Sequence, residues 1–344
     1  MPTTVTNSIG SGARDYATIA LWEDATDINL VSADEVRVGE CYNDSEFALG
    51  AGVSLAGATT DATRYRHLTT ASGQSFADHA DKLTNPLKYD QTKGVGLASS
   101  TYGATVLYLE EDYSRVSKLQ LNVTADANIG IRFENANNSA RDCLVDGTYR
   151  SYGFDISRGT CVNCIAIVRS TGFAVYGFRF FYYGSNAQKV YNCTAVRPSD
   201  LAGTVGAGFR GHSVGLTPIA KNCASFGFTG GAGGFANITT WGTGSDYNAT
   251  DSASATAGAN DLTSLTYADQ YENTVEATRD FRVKSGSDIE NAGTRDQTNT
   301  NDLDIVGQAR STTTPTIGCW EFVSGGGGGG GSTRRRFLPS LGVA

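Results

Sequence analysis

The 344-residue chain carries 42 glycines against 6 prolines and 1 methionine, with 40% hydrophobic and 18% charged residues. That composition excludes a helical bundle and favours strands joined by many tight turns. A net charge of −8 excludes a broad phosphate-binding surface, since the one dense basic cluster is Arg334 to Arg336.

The opening "MPTTVTNSIG" has neither a basic nor an apolar leader region, and no run approaches the ~18 apolar residues of a membrane span. The expectation is a chain made in a cytoplasm, with no membrane and no nucleic acid as partner. The seven cysteines are odd in number and, without an export signal, read as reduced core residues.

In chain order, residues 1–30 read as a strand followed by a capping helix. "DYATIALWEDA" (15–25) places Ile19, Leu21 and Trp22 among charges at roughly helical spacing, and a helix there would cover the open end of a sheet. Residues 31–322 read as one repetitive body.

Five blocks, "GIRF" (130–133), "GFDI" (153–156), "GFRF" (177–180), "GFRG" (208–211) and "GFAN" (234–237), put an apolar residue after glycine. Strand side chains alternate, so Arg132, Asp155, Arg179 and Arg210 point away from Ile131, Phe154, Phe178 and Phe209. A second column runs in step: Cys143, Cys164, Cys193 and Cys223 recur at intervals of 21, 29 and 30 residues, each after Asp142, Asn163, Asn192 or Asn222. Leu119 and Ala249 extend that column, so the station is apolar and inward, and the Asn before it suits a left-handed corner. Two strand stations repeating together while the loops vary are the mark of a solenoid, each coil burying its inner face against its neighbours. About six coils between residues 100 and 250 would give a shaft on the order of 30 Å at ~4.8 Å per coil.

After the repeat, 251–275 is polar and small. The chain then reaches "DFRVKSGSDIENAGT" (280–294) and "DLDIVGQARSTTTPTIGCWEF" (302–322). Residues 323–333 hold seven consecutive glycines, a run that loses much entropy on ordering and reads as a tether. Beyond it, Arg334, Arg335, Arg336, Phe337, Leu338 and Leu341 in 334–344 make a short peptide suited to pairing with acids and inserting apolar side chains into a partner.

Asp280, Phe281, Asp304, Ile305, Gly307, Arg310, Ile317, Gly318 and Glu321 make 280–322 resemble the segment that completes the last coils of right-handed parallel β-helix proteins; Thr316 stands where that group shows an aspartate. "IGSGARDYATIALWEDAT" and "TDATRYRHLT" (60–69) are similar to the opening of phage-associated β-helix proteins. The resemblance spans most of 9–322. It implies an all-β, right-handed parallel β-helix with a short N-terminal capping helix, and a virion setting as a decoration or appendage protein, with homo-oligomers common.

Several motifs invite a chemical reading. Cys161 and Cys164 form one CxxC, but positions i and i+3 of a strand face opposite ways and no second pair exists, so neither metal nor redox cofactor is expected. His67, His79 and His212 are the only histidines; His67 and His212 read as surface or loop residues, because nothing near either supplies a nucleophile with an orienting acid. The outward column of Arg132, Asp155, Arg179 and Arg210 offers one acid among three bases, a candidate glycan-facing stripe without the paired carboxylates of a glycosidase. In "FRFFYY", Phe178 and Phe180 are assigned inward and Phe181, Tyr182 and Tyr183 to a corner.

The function favoured by these features is a non-enzymatic phage structural protein, contacting other virion proteins and further copies of itself, docked to a particle surface by 334–344. A tailspike-type protein binding or cutting a host glycan stays open beside it. A bacterial adhesin or lyase, which would want a secretion signal, is the third reading.

Overall fold

The computed structural model describes residues 1–323 apart from 125–128, 149, 172–174, 182–187, 203–205, 213–214, 229–232, 239 and 257. Its chain winds through three long parallel sheets in a fixed rotation. One coil runs Arg115–Ser117 in the first sheet, Gln120–Val123 in the second and Ile129–Phe133 in the third. The next repeats it with Ser139–Arg141, Leu144–Gly147 and Tyr152–Ile156. Among the described residues the sheets hold eight, eight and seven strands, and the fold is a parallel β-helix.

The solenoid starts earlier than the Gly-Phe repeat announces. Thr3–Ile9 is already the terminal strand of the first sheet, paired in parallel with Glu35–Cys41 from Thr3↔Glu35 to Ile9↔Cys41. Eight strands at ~4.8 Å spacing make this sheet roughly 34 Å long between its first and last strands. Helix α1 (Ile19–Thr26) follows, with Thr18 accepting from the Leu21 N–H as N-cap. It packs on the strands at 3–9, 35–41 and Val53–Leu55, the last being the terminal strand of the third sheet. Trp22 is fully buried there, and Gly39 is what lets it in: a Cβ on Gly39 would meet the indole at 2.7 Å.

Both sequence columns hold. Ile131, Phe154, Phe178, Phe209 and Phe235 stand in register in the third sheet, and the rings from 154 to 235 stack at 4.7–4.8 Å, nearly parallel. The glycines at 130, 177, 208 and 234 have a packing reason. A Cβ on Gly208 would meet Ser225 Oγ at 1.9 Å and Ala195 Cβ at 3.0 Å, so the third sheet closes against the second only without a side chain there. Cys143, Cys164, Cys193 and Cys223, with Leu119 and Ala249, are all fully buried. The residues before the cysteines adopt left-handed conformations, φ 55° at Asp142, 52° at Asn163, 51° at Asn192 and 55° at Asn222. These corners also form a ladder along the axis, Asn163 Nδ2 donating to Asp142 Oδ1 at 2.9 Å and Asn192 Nδ2 to Asn163 Oδ1 at 3.3 Å.

Leu262 still bridges Ala249 in parallel at the end of the second sheet. Beyond it, 280–322 departs from expectation: with Tyr267 and Tyr271 it does not complete the last coils but runs back as a strap over the outer face of the second sheet. Ile165, Ile167, Val196 and Phe226 point outward from that sheet yet are buried, packed with Tyr271, Phe281, Ile289, Ile305, Ile317 and Trp320 of the strap. Tyr271–Asn273 and Asp280–Val283 pair antiparallel as a separate two-stranded sheet. The asparagine ladder is the rail on which the strap is fastened: Asn163 Nδ2 donates to Leu303 O (2.9 Å), while Asn222 accepts from Thr294 N–H (2.9 Å) and donates to Thr294 O (2.7 Å).

Candidate functional site

The outward column of the third sheet is assembled as the sequence implied, by the register Arg132↔Asp155↔Arg179↔Arg210. Adjacent coils thereby bring Arg132 and Arg179 onto Asp155 from either side. Arg179 donates to both carboxylate oxygens of Asp155, from Nε at 2.7 Å and Nη2 at 2.5 Å, while Arg132 Nε lies 3.6 Å from Asp155 Oδ2. Arg132 Nη2 also reaches Glu134 at 2.7 Å, and the Tyr108 hydroxyl donates to the same oxygen at 3.0 Å.

Aromatic rings complete the face. The residue before each glycine puts Tyr152 and Tyr176 in register, their rings stacked at 5.8 Å. The Arg179 guanidinium lies 3.7 Å over Tyr152 and 4.4 Å over Phe181, and that of Arg210 lies 4.3 Å over Tyr176. Such cation–π pairing holds both partners in place.

This differs from an open, solvated stripe. Asp155 has no exposed surface and Arg179 only 8%, so the centre of the column is a buried, hydrogen-bonded ion pair; Arg132, with 27% of its side chain exposed, forms a rim. Both oxygens of this carboxylate are taken up by Arg179, and the second guanidinium closes over one of them, so neither oxygen is left free on the surface. Asp146, on the outer face of the second sheet, is likewise buried and taken up by Arg169 (2.7 Å), Arg279 of the strap (2.8 Å) and the Tyr89 N–H (3.1 Å).

The CxxC behaves differently from a strand pair. The left-handed Asn163 turns the chain between them, so Cys161 and Cys164 both face the interior, both as free thiols. Burial pushes the thiols of Cys143, Cys161 and Cys193 well up, so they stay protonated. Among the described residues no group of three or more His, Cys, Asp or Glu side chains is arranged to hold a metal ion.

The structure does bring a hydroxyl to one histidine. His67 Nε2 is 2.8 Å from Ser117 Oγ, which is also 2.8 Å from Thr69 Oγ1, across neighbouring strands of the first sheet. Burial first, then the positive charges of Arg115 and Lys118, push the imidazole down to about 4. No carboxylate among the described residues hydrogen-bonds this ring, so the pair lacks the orienting acid of a triad. His79 accepts from the Asp81 N–H at 3.2 Å, and His212 packs against Phe181 with ring centroids 4.5 Å apart.

Phe178 and Phe180 are fully buried, as assigned; Phe181 sits beneath Arg179, while Tyr182 and Tyr183 lie outside the described residues. Arg334, Arg335, Arg336, Phe337, Leu338 and Leu341 also lie outside them. Three buried polar clusters went unread in the sequence: Asp146 with its two arginines, Arg66 between Glu23 and Glu111, and Arg310 with Glu321 beside Asp304. In the last, burial raises the Asp304 carboxyl to about 6. The resemblance motif supplied these residues as a pattern, and their spacing alone gave no sign that they converge on one another.

No family model, no curated protein and no solved structure matches this chain.

Proposed function

We propose that the chain is a non-enzymatic structural protein of a phage particle, a rod displayed on the capsid or another particle surface and docked through residues 334–344, with further copies of itself and other virion proteins as its partners. What supports this reading is the state of the outward charges. The acid best placed for chemistry on the repeating face, Asp155, is buried between Arg179 and Arg132, and its counterpart Asp146 is tied to the strap. Groups used in this way stiffen a shaft. The virion setting itself rests on the resemblance of the opening and closing motifs.

A glycan-binding appendage is the second reading, favoured by the partly exposed Arg132 and Glu134 at the rim of the same face. Counting copies of the chain in purified particles separates the two: a number on the order of hundreds fits decoration, and a few per particle fits a symmetric appendage. Deleting residues 325–344 should leave a folded protein that no longer joins the particle. Incorporation of the truncated chain at wild-type copy number would sink the docking role.

A further inference from the structure

The strap ends beside a groove of about 320 Å³, within the size range of small-ligand sites. Its apolar walls are Leu83, Val283, Trp320, Phe322 and Val323, with Glu272 at the rim. Leu83 and Val323 leave 47% and 56% of their surface in solvent, so two apolar side chains stand exposed at the mouth of the groove. The groove's one cation, Arg282, is occupied: it donates to both oxygens of Asp280 and to Leu83 O. Glu272 is exposed and makes no ion pair among the described residues, leaving one carboxylate in surplus at the mouth.

The chain leaves the described structure at this point. Val323 lines the groove, and ten residues separate it from Arg334. A glycine-rich stretch of that length spans roughly 5–6 Å × √10, about 17 Å root-mean-square, enough to turn back on its own origin. The sequence that follows, "RRRFLPSLGVA", joins a basic triplet directly to Phe337 and Leu338. Groove and segment match in both properties: an apolar trough takes the Phe and Leu side chains, and the surplus carboxylate faces the arginines. A link this short also gives an effective concentration in the millimolar range, so modest contacts suffice.

We propose that this groove is the seat of the chain's own 334–341 segment, with Phe337 and Leu338 set against Trp320, Phe322 and Leu83, and the arginines over Glu272. This seat does not depend on the particle reading, since it is a property of the isolated chain. It makes the basic peptide available to a partner only when displaced from the groove.

The test is hydrogen–deuterium exchange on the full-length protein, comparing wild type with the double variant Phe337→Asp/Leu338→Asp and with Glu272→Lys. Glu272 is exposed, and unchanged exchange in the strands at 139–168 certifies the fold of each variant. Wild type should protect the amides of 271–273 and 320–323 by about tenfold over the double variant, a difference worth about 1.4 kcal/mol. Glu272→Lys should show an intermediate loss, and protection should be independent of protein concentration. Equal exchange in wild type and the double variant overturns the proposal. Protection that grows with concentration, alongside a dimer mass in light scattering, overturns it too, by putting a second copy's segment in the groove.

Discussion

Asp142 is the odd member of the asparagine ladder, and replacing it tests whether the ladder works as a set of neutral hydrogen bonds. Burial pushes its carboxyl from 3.8 up to about 7, against the lowering effects of the Asn163 hydrogen bond and of Arg141 and Lys118. An acid whose folded-state value is raised adds stability that is fully present below the unfolded value and is lost as pH rises through the folded one. The affected window is therefore about 4 to 7, with the ionised form disfavoured above it. About three units correspond to a ceiling of ~4 kcal/mol at 1.36 kcal/mol per unit, and the partial exposure of Asp142 brings the expected effect to roughly 1–3 kcal/mol. Asp142→Asn keeps the acceptor that Asn163 Nδ2 uses at 2.9 Å and restores the residue type of the next three corners. Urea unfolding of both proteins at pH about 5 and about 8 gives the comparison. The variant should gain roughly 1–3 kcal/mol over wild type at the higher pH and roughly two fifths of that at the lower, where the unfolded carboxyl is already ionised, with other titrating groups common to both. Parallel pH dependences in the two proteins would refute the argument that Asp142 carries a buried charge.

Two further outcomes follow from buried charge. Arg66 is fully buried between Glu111 and Glu23 and also donates to Ala56 O; Arg66→Met should therefore lower stability by roughly 3–5 kcal/mol through the stranded Glu111, and adding Glu111→Gln should recover part of that loss in the same urea titration. Asp146→Asn weakens the hold of Arg169 and Arg279, so limited proteolysis should cut within 267–322 before the shaft, whereas simultaneous cleavage of both would show that the strap is fastened chiefly by its apolar face.

The coils were legible because their chemistry repeats. Gly-Phe and Asn-Cys pairs recur at stations fixed by a left-handed corner and by the close approach of two sheets, and few residue types satisfy either condition. The first coils lacked that signature, since Thr3–Ile9 and Glu35–Cys41 carry neither pair, and only their register shows that they belong. The buried state of Asp155 was implicit in the columns, which already set it between Arg132 and Arg179, but the tyrosines that hold the neighbouring guanidiniums, one position before Gly153 and Gly177, were not read.

The strap was misread although its footprint lies in the repeat. A solenoid strand with one face in water alternates apolar and polar residues, whereas "CIAIV" (164–168) is apolar throughout, and in a parallel sheet a continuous apolar run means that both faces are buried. Ile165 and Ile167 therefore called for a cover over the second sheet, and a segment that merely added coils at the end of the shaft could not supply one. The same reasoning assigns the asparagines a second role. An asparagine amide in a corner carries more hydrogen-bonding capacity than its own turn consumes, and at Asn163 and Asn222 the remainder goes to the strap. The residue that permits the left-handed corner is thus also the one that fastens the cover beside it, which is why one column of the sequence encodes both the winding of the shaft and the path of the segment that closes over it.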